Sequence, residues 1–596
     1  MLYPLVNSYR SIQDLSGIWD FKTDPNKIGE KNNWYKGFKT NISIAVPGSW
    51  NEQLEELGLL NYVGSVWYSK KIFIPLEFKT KRIVLRFGSI DYNAKFWIDG
   101  KFVGENNIGF LPIELEVNDF VIPGKEVLLV IKVNNELSHE SIPQGITSQR
   151  FRSEKRLREE TNPPTRFDFS PFGGIHRTAQ LVATPQIHIK KIIVDTKISN
   201  KKDGIITAEI FSNIIKNLSA TAQIIDGKNI VSEKLSLNDG KGTVTLKIKN
   251  CKFWSPQNPF LYELKVQLFN ADVQIDEYII PIGVREIAIS GNKLLLNGKE
   301  IYLKGFGKHE DFYVIGKGLC LPLIVKDFEL MKWINANSFR TSHYPYSEEM
   351  MYYADKKGFL VIDEVPAVSL DFRVVNHNTL KTHKEHITRL IERDYNHPSV
   401  IMWAVGNEPN LVGDQNYYNG SGRKYWKEIF SFTKALDSKR PITVPNCARA
   451  GVNDPVFEFS DVLSLNRYYG WYEYPGNLEE ATKILGDEMD LINKKYKRPI
   501  FFTEFGVDTV PGFHSISPQM FTEEYQQKFL EAYIKLFRSK KYMIGEHVWN
   551  FADFRTPQHF RRVVMNLKGV FTRNREPKSA AFLLKKIWQN SSINKK

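Results

Sequence analysis

Two glutamates are the residues best placed to do chemistry. Glu408 sits in Gly406-Asn407-Glu408-Pro409 and Glu504 in Thr503-Glu504-Phe505-Gly506, each closing a short apolar run. A pair of carboxylates flanking one sugar ring is what glycoside hydrolysis requires. One protonates the leaving oxygen and the other meets the oxocarbenium-like anomeric carbon. With the two about 5–5.5 Å apart, the second attacks directly and configuration is retained. The competing interpretation makes either glutamate a buried ion-pair partner of Arg340 or another cation. Trp403, Tyr468, Tyr469, Tyr472 and Trp549 offer flat apolar faces of the kind the C–H face of a pyranose needs. A basic loop, Arg561-Arg562-Val563-Val564-Met565-Asn566-Leu567-Lys568-Gly569, places an amide and an ammonium two residues apart. On extended backbone these can point the same way and clasp one carboxylate through charge-assisted hydrogen bonds.

Such residues need elements to hold them. From about residue 285 the sequence alternates short apolar strands with helix-length amphipathic segments: EIYLKGFG (300–307), NSFRTSHYP (337–345), FLVIDEVP (359–366), VIMWAVGNEP (400–409), PITVPNCA (441–448), VLSLNRYYG (462–470), PIFFTEFG (499–506) and GEHVWNFAD (545–553). Eight strand–helix alternations predict a closed (β/α)8 TIM barrel over 285–596, whose active site lies where strands end. An open doubly wound sheet is the competitor, but no Gly-x-Gly-x-x-Gly turn follows an early strand. Polar residues gather at the predicted strand ends: His309-Glu310-Asp311, Arg340 with His343, Asp363-Glu364, Asn407-Glu408, Asn466 with Tyr468, Glu504 and Trp549. Glu408 and Glu504 then end the fourth and seventh strands and face one another across the mouth.

Upstream, residues 1–183 alternate apolar and polar in short runs, with Asp99-Gly100 as a hairpin signal. With so many large aromatics this predicts a jelly-roll sandwich. Residues 184–284 carry five further alternating runs at near-regular spacing and predict a small immunoglobulin-like sandwich.

The 596 residues contain 42% hydrophobic and 25% charged side chains, which excludes a disordered chain. Only three cysteines occur, far apart, which excludes a disulfide scaffold and a Cys-rich metal cluster. No apolar run is long enough to span a membrane. The N-terminus turns polar within ten residues and lacks a signal core, so the cytoplasm is the expected compartment. The net charge of +14 is spread among acids, and its one dense cluster is 149–160. With no nucleic-acid motif and no aromatic–basic strip, a solvated basic surface is expected.

Asn407-Glu408-Pro409, Thr503-Glu504-Phe505-Gly506, NSFRTSHYPYSEEM (337–350) and DFSPFGGIHR (168–177) together resemble glycoside hydrolase family 2 along the whole chain. Within it, GFGKHED (305–311), LNRYYGWY (465–472) and Asn566-x-Lys568 resemble the β-glucuronidases. The resemblance implies a retaining exo-β-glucuronidase, with Glu408 as acid/base and Glu504 as nucleophile. Asn566 and Lys568 would hold the sugar carboxylate, with Tyr472 and Arg562 beside it. Asn407 would contact the 2-hydroxyl, Asp168 and His343 would contact ring hydroxyls, and Tyr468 would support the nucleophile. Asn466 would stand at the site and Trp549 would form its floor. A homotetramer without organic cofactor is implied, acting on small-molecule or oligosaccharide β-glucuronides; no His/Cys/Asp spacing demands a metal. One departure is the short segment 365–383, where some gut-bacterial relatives carry a long lid; its shortness predicts larger or oligosaccharide aglycones.

This scheme makes two physical demands. Glu408 must start protonated near neutrality, its pKa raised by the charge of Glu504 and by partial burial. A buried Lys568 would be stranded unpaired beneath a neutral hexose, which selects an acidic one. A β-galacturonidase would share the clamp, whereas a β-galactosidase or β-mannosidase leaves Asn566-x-Lys568 unexplained. A non-catalytic carbohydrate-binding protein would be expected to have lost one of the two glutamates.

Overall fold

The structure, a computed structural model, describes residues 2–146, 161–226, 229–411 and 413–589. The basic cluster at 149–160 lies outside the described residues. In the first region a six-stranded antiparallel sheet built around Gly17–Asp24, Ser65–Phe73 and Glu126–Asn134 faces a four-stranded sheet containing Arg82–Phe87 and Ala179–Thr184. Alternate residues of the two sheets, among them Trp19, Phe21, Tyr68, Leu85, Ile131 and Leu181, bury one shared core. The expected hairpin joins Asn93–Ile98 to Lys101–Asn106. Asp99 and Gly100 both have positive φ, 47° and 77°, which matches the twist of the flanking strands.

The second region is a sandwich of a three-stranded and a four-stranded sheet. Its seven strands among the described residues exceed the five that alternation picks out. The two additional strands, Asn229–Leu237 and Val273–Ile282, are the edges of the four-stranded sheet. Edge strands need less regular burial, and Pro281, which lacks an N–H, is tolerated in such a position.

The third region is a closed parallel barrel, as the alternation predicts. Its strands are Leu303–Gly307, Ser338–Arg340, Leu360–Glu364, Val400–Ala404, a split fifth strand, Leu463–Asn466, Ile500–Glu504 and Met543–Val548. The first pairs with the eighth, Leu303 opposite Gly545. The fifth is divided into Ile442–Thr443, which pairs with the fourth strand, and Asn446–Cys447, which pairs with the sixth. Pro445 lies in the break, where it removes one ladder donor. The strands are buried on both faces and read as continuous apolar runs. Side-chain caps fix helix starts: Ser347 accepts from Met350 N at 3.2 Å, and Thr522 from Tyr525 N at 3.2 Å.

The first region is locked onto the barrel mouth. Arg177 donates to Pro345 O at 2.6 Å and to Glu310 at 3.1 Å. The Lys317 ammonium lies 4.4–4.9 Å from the rings of Tyr344, Phe110 and Phe169. Gly173 must be glycine, because a Cβ there would stand 2.0 Å from the Trp50 ring. These contacts deliver the 168–177 segment, and Asp168 with it, to the strand ends. No helix among the described residues is long and apolar enough to cross a membrane.

Candidate active site

A cavity of about 300 Å³ opens at the strand ends. Asp168, His343, Asn407, Glu408, Tyr468, Tyr472, Glu504, Trp549, Arg562 and Lys568 all line it. Asn466 and Asn566 stand one step back, each bonded to a lining residue. Trp403 corrects the aromatic expectation: its indole donates to Asp437 at 2.9 Å, it is 1% exposed, and it does not line the cavity. Tyr469 lines a neighbouring cavity instead. At the strand ends, Asp311 pairs with Arg573 and Glu310 with Arg177, so these acids tie elements together.

Glu504 is held from two sides. Arg340 Nη2 donates to its Oε1 and Tyr468 Oη donates to its Oε2 at 2.6 Å. The ion pair with Arg340 therefore exists, yet Glu504 also lines the cavity; the two interpretations are compatible. Arg340 is fully buried and donates through Nη1 to Glu364. Burial, and then the charges of Glu504 and Glu408, push the Tyr468 phenol well up, which keeps it a donor. His343 Nδ1 lies 2.7 Å from Glu364 Oε1. Since a carboxylate only accepts, the ring N–H points there and Nε2 faces Glu504 at 3.8 Å. The same ring stacks on Trp549 with centroids 5.0 Å apart.

Glu408 sits on strained backbone, with φ 46°. Its N–H donates to Pro445 O at 2.8 Å, while Asn407 bonds Ala367 O at 3.0 Å and Ser369 N at 2.9 Å. The 365–376 loop is thus stitched to the turn that carries Glu408, and Val368 and Ser369 line the cavity. Asn407 Oδ1 accepts from Asn466 at 3.2 Å, which leaves its amide N–H groups for the cavity. Asn466 also donates to Glu408 Oε1 at 3.0 Å. Burial first, and the charge of Glu504 second, push the Glu408 carboxyl up to about 8. Both causes named from the sequence are therefore present, with burial the larger.

A titration follows. A proton donor with this pKa is loaded below about pH 8 and empties as pH rises through it. If Glu408 is the general acid expected from the sequence, kcat/KM for a substrate with a poor leaving group should fall about tenfold per pH unit above that point. A rate flat to pH 10 would contradict the assignment.

The basic loop forms a cluster of two cations and two carboxylates. Asp168 accepts from Arg562 Nη2 at 2.6 Å, from Arg562 Nε at 3.1 Å and from Asn566 Nδ2 at 2.7 Å. Lys568, 1% exposed, donates to Tyr472 Oη at 3.1 Å and to Asp508. Arg562 Nη1 reaches the same Asp508 oxygen at 3.2 Å. Asp508 therefore corrects the picture of a cation stranded beneath a neutral hexose: Lys568 keeps a counter-ion whatever the sugar. The signal that could have found Asp508 is its place in Gly506-Val507-Asp508-Thr509, directly after the seventh strand, together with the rule that a buried ammonium requires an anion.

Three family models match consecutive segments: the sugar binding domain of glycosyl hydrolases family 2 over residues 12–185, glycosyl hydrolases family 2 over 187–285, and its TIM barrel domain over 287–593. The chain belongs to glycosyl hydrolase family 2. Among family 2 relatives, a β-glucuronidase from Paenibacillus borealis is 37% identical over 602 residues, 99% of this chain and 98% of that protein. A solved β-glucuronidase from an uncultured Clostridium is 38% identical with a TM-score of 0.90, covering 99% of this chain and 100% of its own. A Ruminococcus gnavus β-glucuronidase in complex with D-glucuronic acid is 36% identical with a TM-score of 0.90, covering 98% and 99%. In this family 2 chain, both glutamates and the Asn566-x-Lys568 loop converge on the strand-end mouth.

Proposed function

We infer that the chain is a retaining exo-β-glucuronidase that releases D-glucuronate from β-D-glucuronides. The observation that carries this is one cavity lined both by the two carboxylates that follow the fourth and end the seventh strand and by the cations Lys568 and Arg562. Its full-length likeness to β-glucuronidases, one of them seen with D-glucuronic acid, supports the same substrate.

In this reading Glu504 attacks the anomeric carbon while Glu408 donates its proton to the departing aglycone oxygen. Glu408, now a carboxylate, takes a proton from water as that water attacks the glycosyl–Glu504 ester, which frees β-glucuronate. Lys568 and Asn566 hold the C6 carboxylate with Arg562 and Tyr472 beside it. Asn407 donates to the 2-hydroxyl, Asp168 and His343 meet ring hydroxyls, and Trp549 floors the pocket. Asn466 orients Glu408. Following the first-formed anomer by NMR tests the scheme: β-glucuronate appearing before mutarotation is expected, and α-glucuronate first would overturn double displacement.

The aglycone side is roomy. A second cavity of about 590 Å³ shares Glu408, Leu411, Tyr468, Tyr472 and Arg561 with the first and extends past Arg449, Tyr469 and Glu473. A glucuronate-terminated oligosaccharide should therefore be cleaved with kcat/KM at least equal to that for a small aryl glucuronide. A strong preference for the aryl substrate would sink this expectation. We further propose a cytoplasmic homotetramer; its support is the family likeness and the three unpaired cysteines. Light scattering of the purified protein tests the assembly.

A further inference from the structure

We propose that Asp508 is the positioning residue that makes this site select an acidic sugar, by fixing Lys568 and Arg562 as one preset anion receptor. The inference rests on the glucuronide reading above and adds a residue to it. Asp508 is 3% exposed and does not line the cavity, so it acts through its neighbours. One oxygen accepts the backbone N–H of Leu567 at 2.9 Å, in the very loop that carries Lys568. The other accepts from both Lys568 and Arg562. The carboxylate is thus locked to the loop by one oxygen and gathers both cations with the other.

The consequence is geometric. An ammonium has three donors. Asp508 and Tyr472 take two of those of Lys568, which leaves one for the cavity that Lys568 lines. Without Asp508, two cations sharing a buried site would repel one another, and a flexible lysine side chain would have no fixed direction. The loop around them is independently braced. Lys578 donates to Leu567 O at 2.9 Å and to Asp553 at 2.8 Å, and Gly569 N donates to Asp553 at 2.9 Å. Asp508 can therefore be altered while other bonds still hold the loop.

Asp508→Asn is the test, because an amide oxygen can keep the Leu567 bond while its N–H groups cannot accept from the cations. We expect kcat/KM for p-nitrophenyl β-D-glucuronide to fall about 30- to 100-fold, mainly through KM. The slow rate on the matching β-D-galactoside should change less than threefold, so the ratio of the two collapses. In a Lys568→Ala background the same substitution should cost little further, or recover part of the rate, since only Arg562 is left for Asp508 to position and its charge there opposes the sugar carboxylate. Equal losses on both substrates, or an unchanged ratio, would overturn the proposal. If Asp508→Asn fails to fold by circular dichroism, Asp508→Ser replaces it, with the same ratio as the readout. Failure of the glucuronide reading is distinct: the unaltered enzyme would then not prefer the glucuronide.

Discussion

Replacing Glu504 by alanine is expected to lower kcat on p-nitrophenyl β-D-glucuronide by at least roughly 10⁴-fold, because the covalent route loses the group that forms its intermediate. The loss should not be a folding defect. Arg340, deprived of Glu504, still has Glu364 as a counter-ion, and the strand ends remain buried around it. Circular dichroism should therefore show an intact fold. Sodium azide supplies a second check. A small anion entering the space left by the side chain attacks the anomeric carbon from that face and yields the α-glucuronyl azide. An alanine variant with a near-normal rate, or one whose azide product keeps the β configuration, would remove Glu504 from the nucleophile's role.

Lys568→Ala is expected to cut kcat/KM for the same substrate by about 10²–10³, or ~3–4 kcal/mol, the usual loss when one side of a desolvated charge contact disappears. Two effects add. The sugar carboxylate loses its ammonium, and Asp508, held in place by Leu567 N, turns from counter-ion into a nearby like charge that only Arg562 offsets. A neutral hexoside feels neither, so its low rate should hardly change. An unaltered glucuronide rate in this variant would withdraw the uronate assignment.

Much of this architecture is written in local patterns. Continuous apolar runs bounded by polar ends mark barrel strands, because a strand buried on both faces has no polar side to alternate. The Asp99-Gly100 step marks its hairpin because few other pairs take two positive φ values. Edge strands are less legible: Asn229–Leu237 and Val273–Ile282 each pair on one side only, with the strand just before them, so burial does not force a clean alternation on their sequences. The same distinction runs through the site. Glu408 and Glu504 declare themselves by chemistry and by their place after a strand. Asp508 does not, since its importance comes from what the fold brings to it: Lys568 and Arg562 lie more than fifty residues away. Trp403 shows the opposite error, a plausible sugar platform by type that the barrel turns toward Asp437. Residue identity proposes a function, and only the assembled neighbourhood decides it.

The most direct test is a panel of initial rates on p-nitrophenyl β-D-glucuronide, β-D-galacturonide, β-D-galactoside and β-D-mannoside, with Glu504→Ala as the blank. The expected result is rapid cleavage of the glucuronide alone, abolished in the variant. A dominant galacturonide rate would preserve the mechanism and the cation cluster but move the substrate by one hydroxyl. A dominant neutral hexoside would contradict the account, because Lys568, Arg562 and Asp508 would then have been assigned to a carboxylate the enzyme does not select.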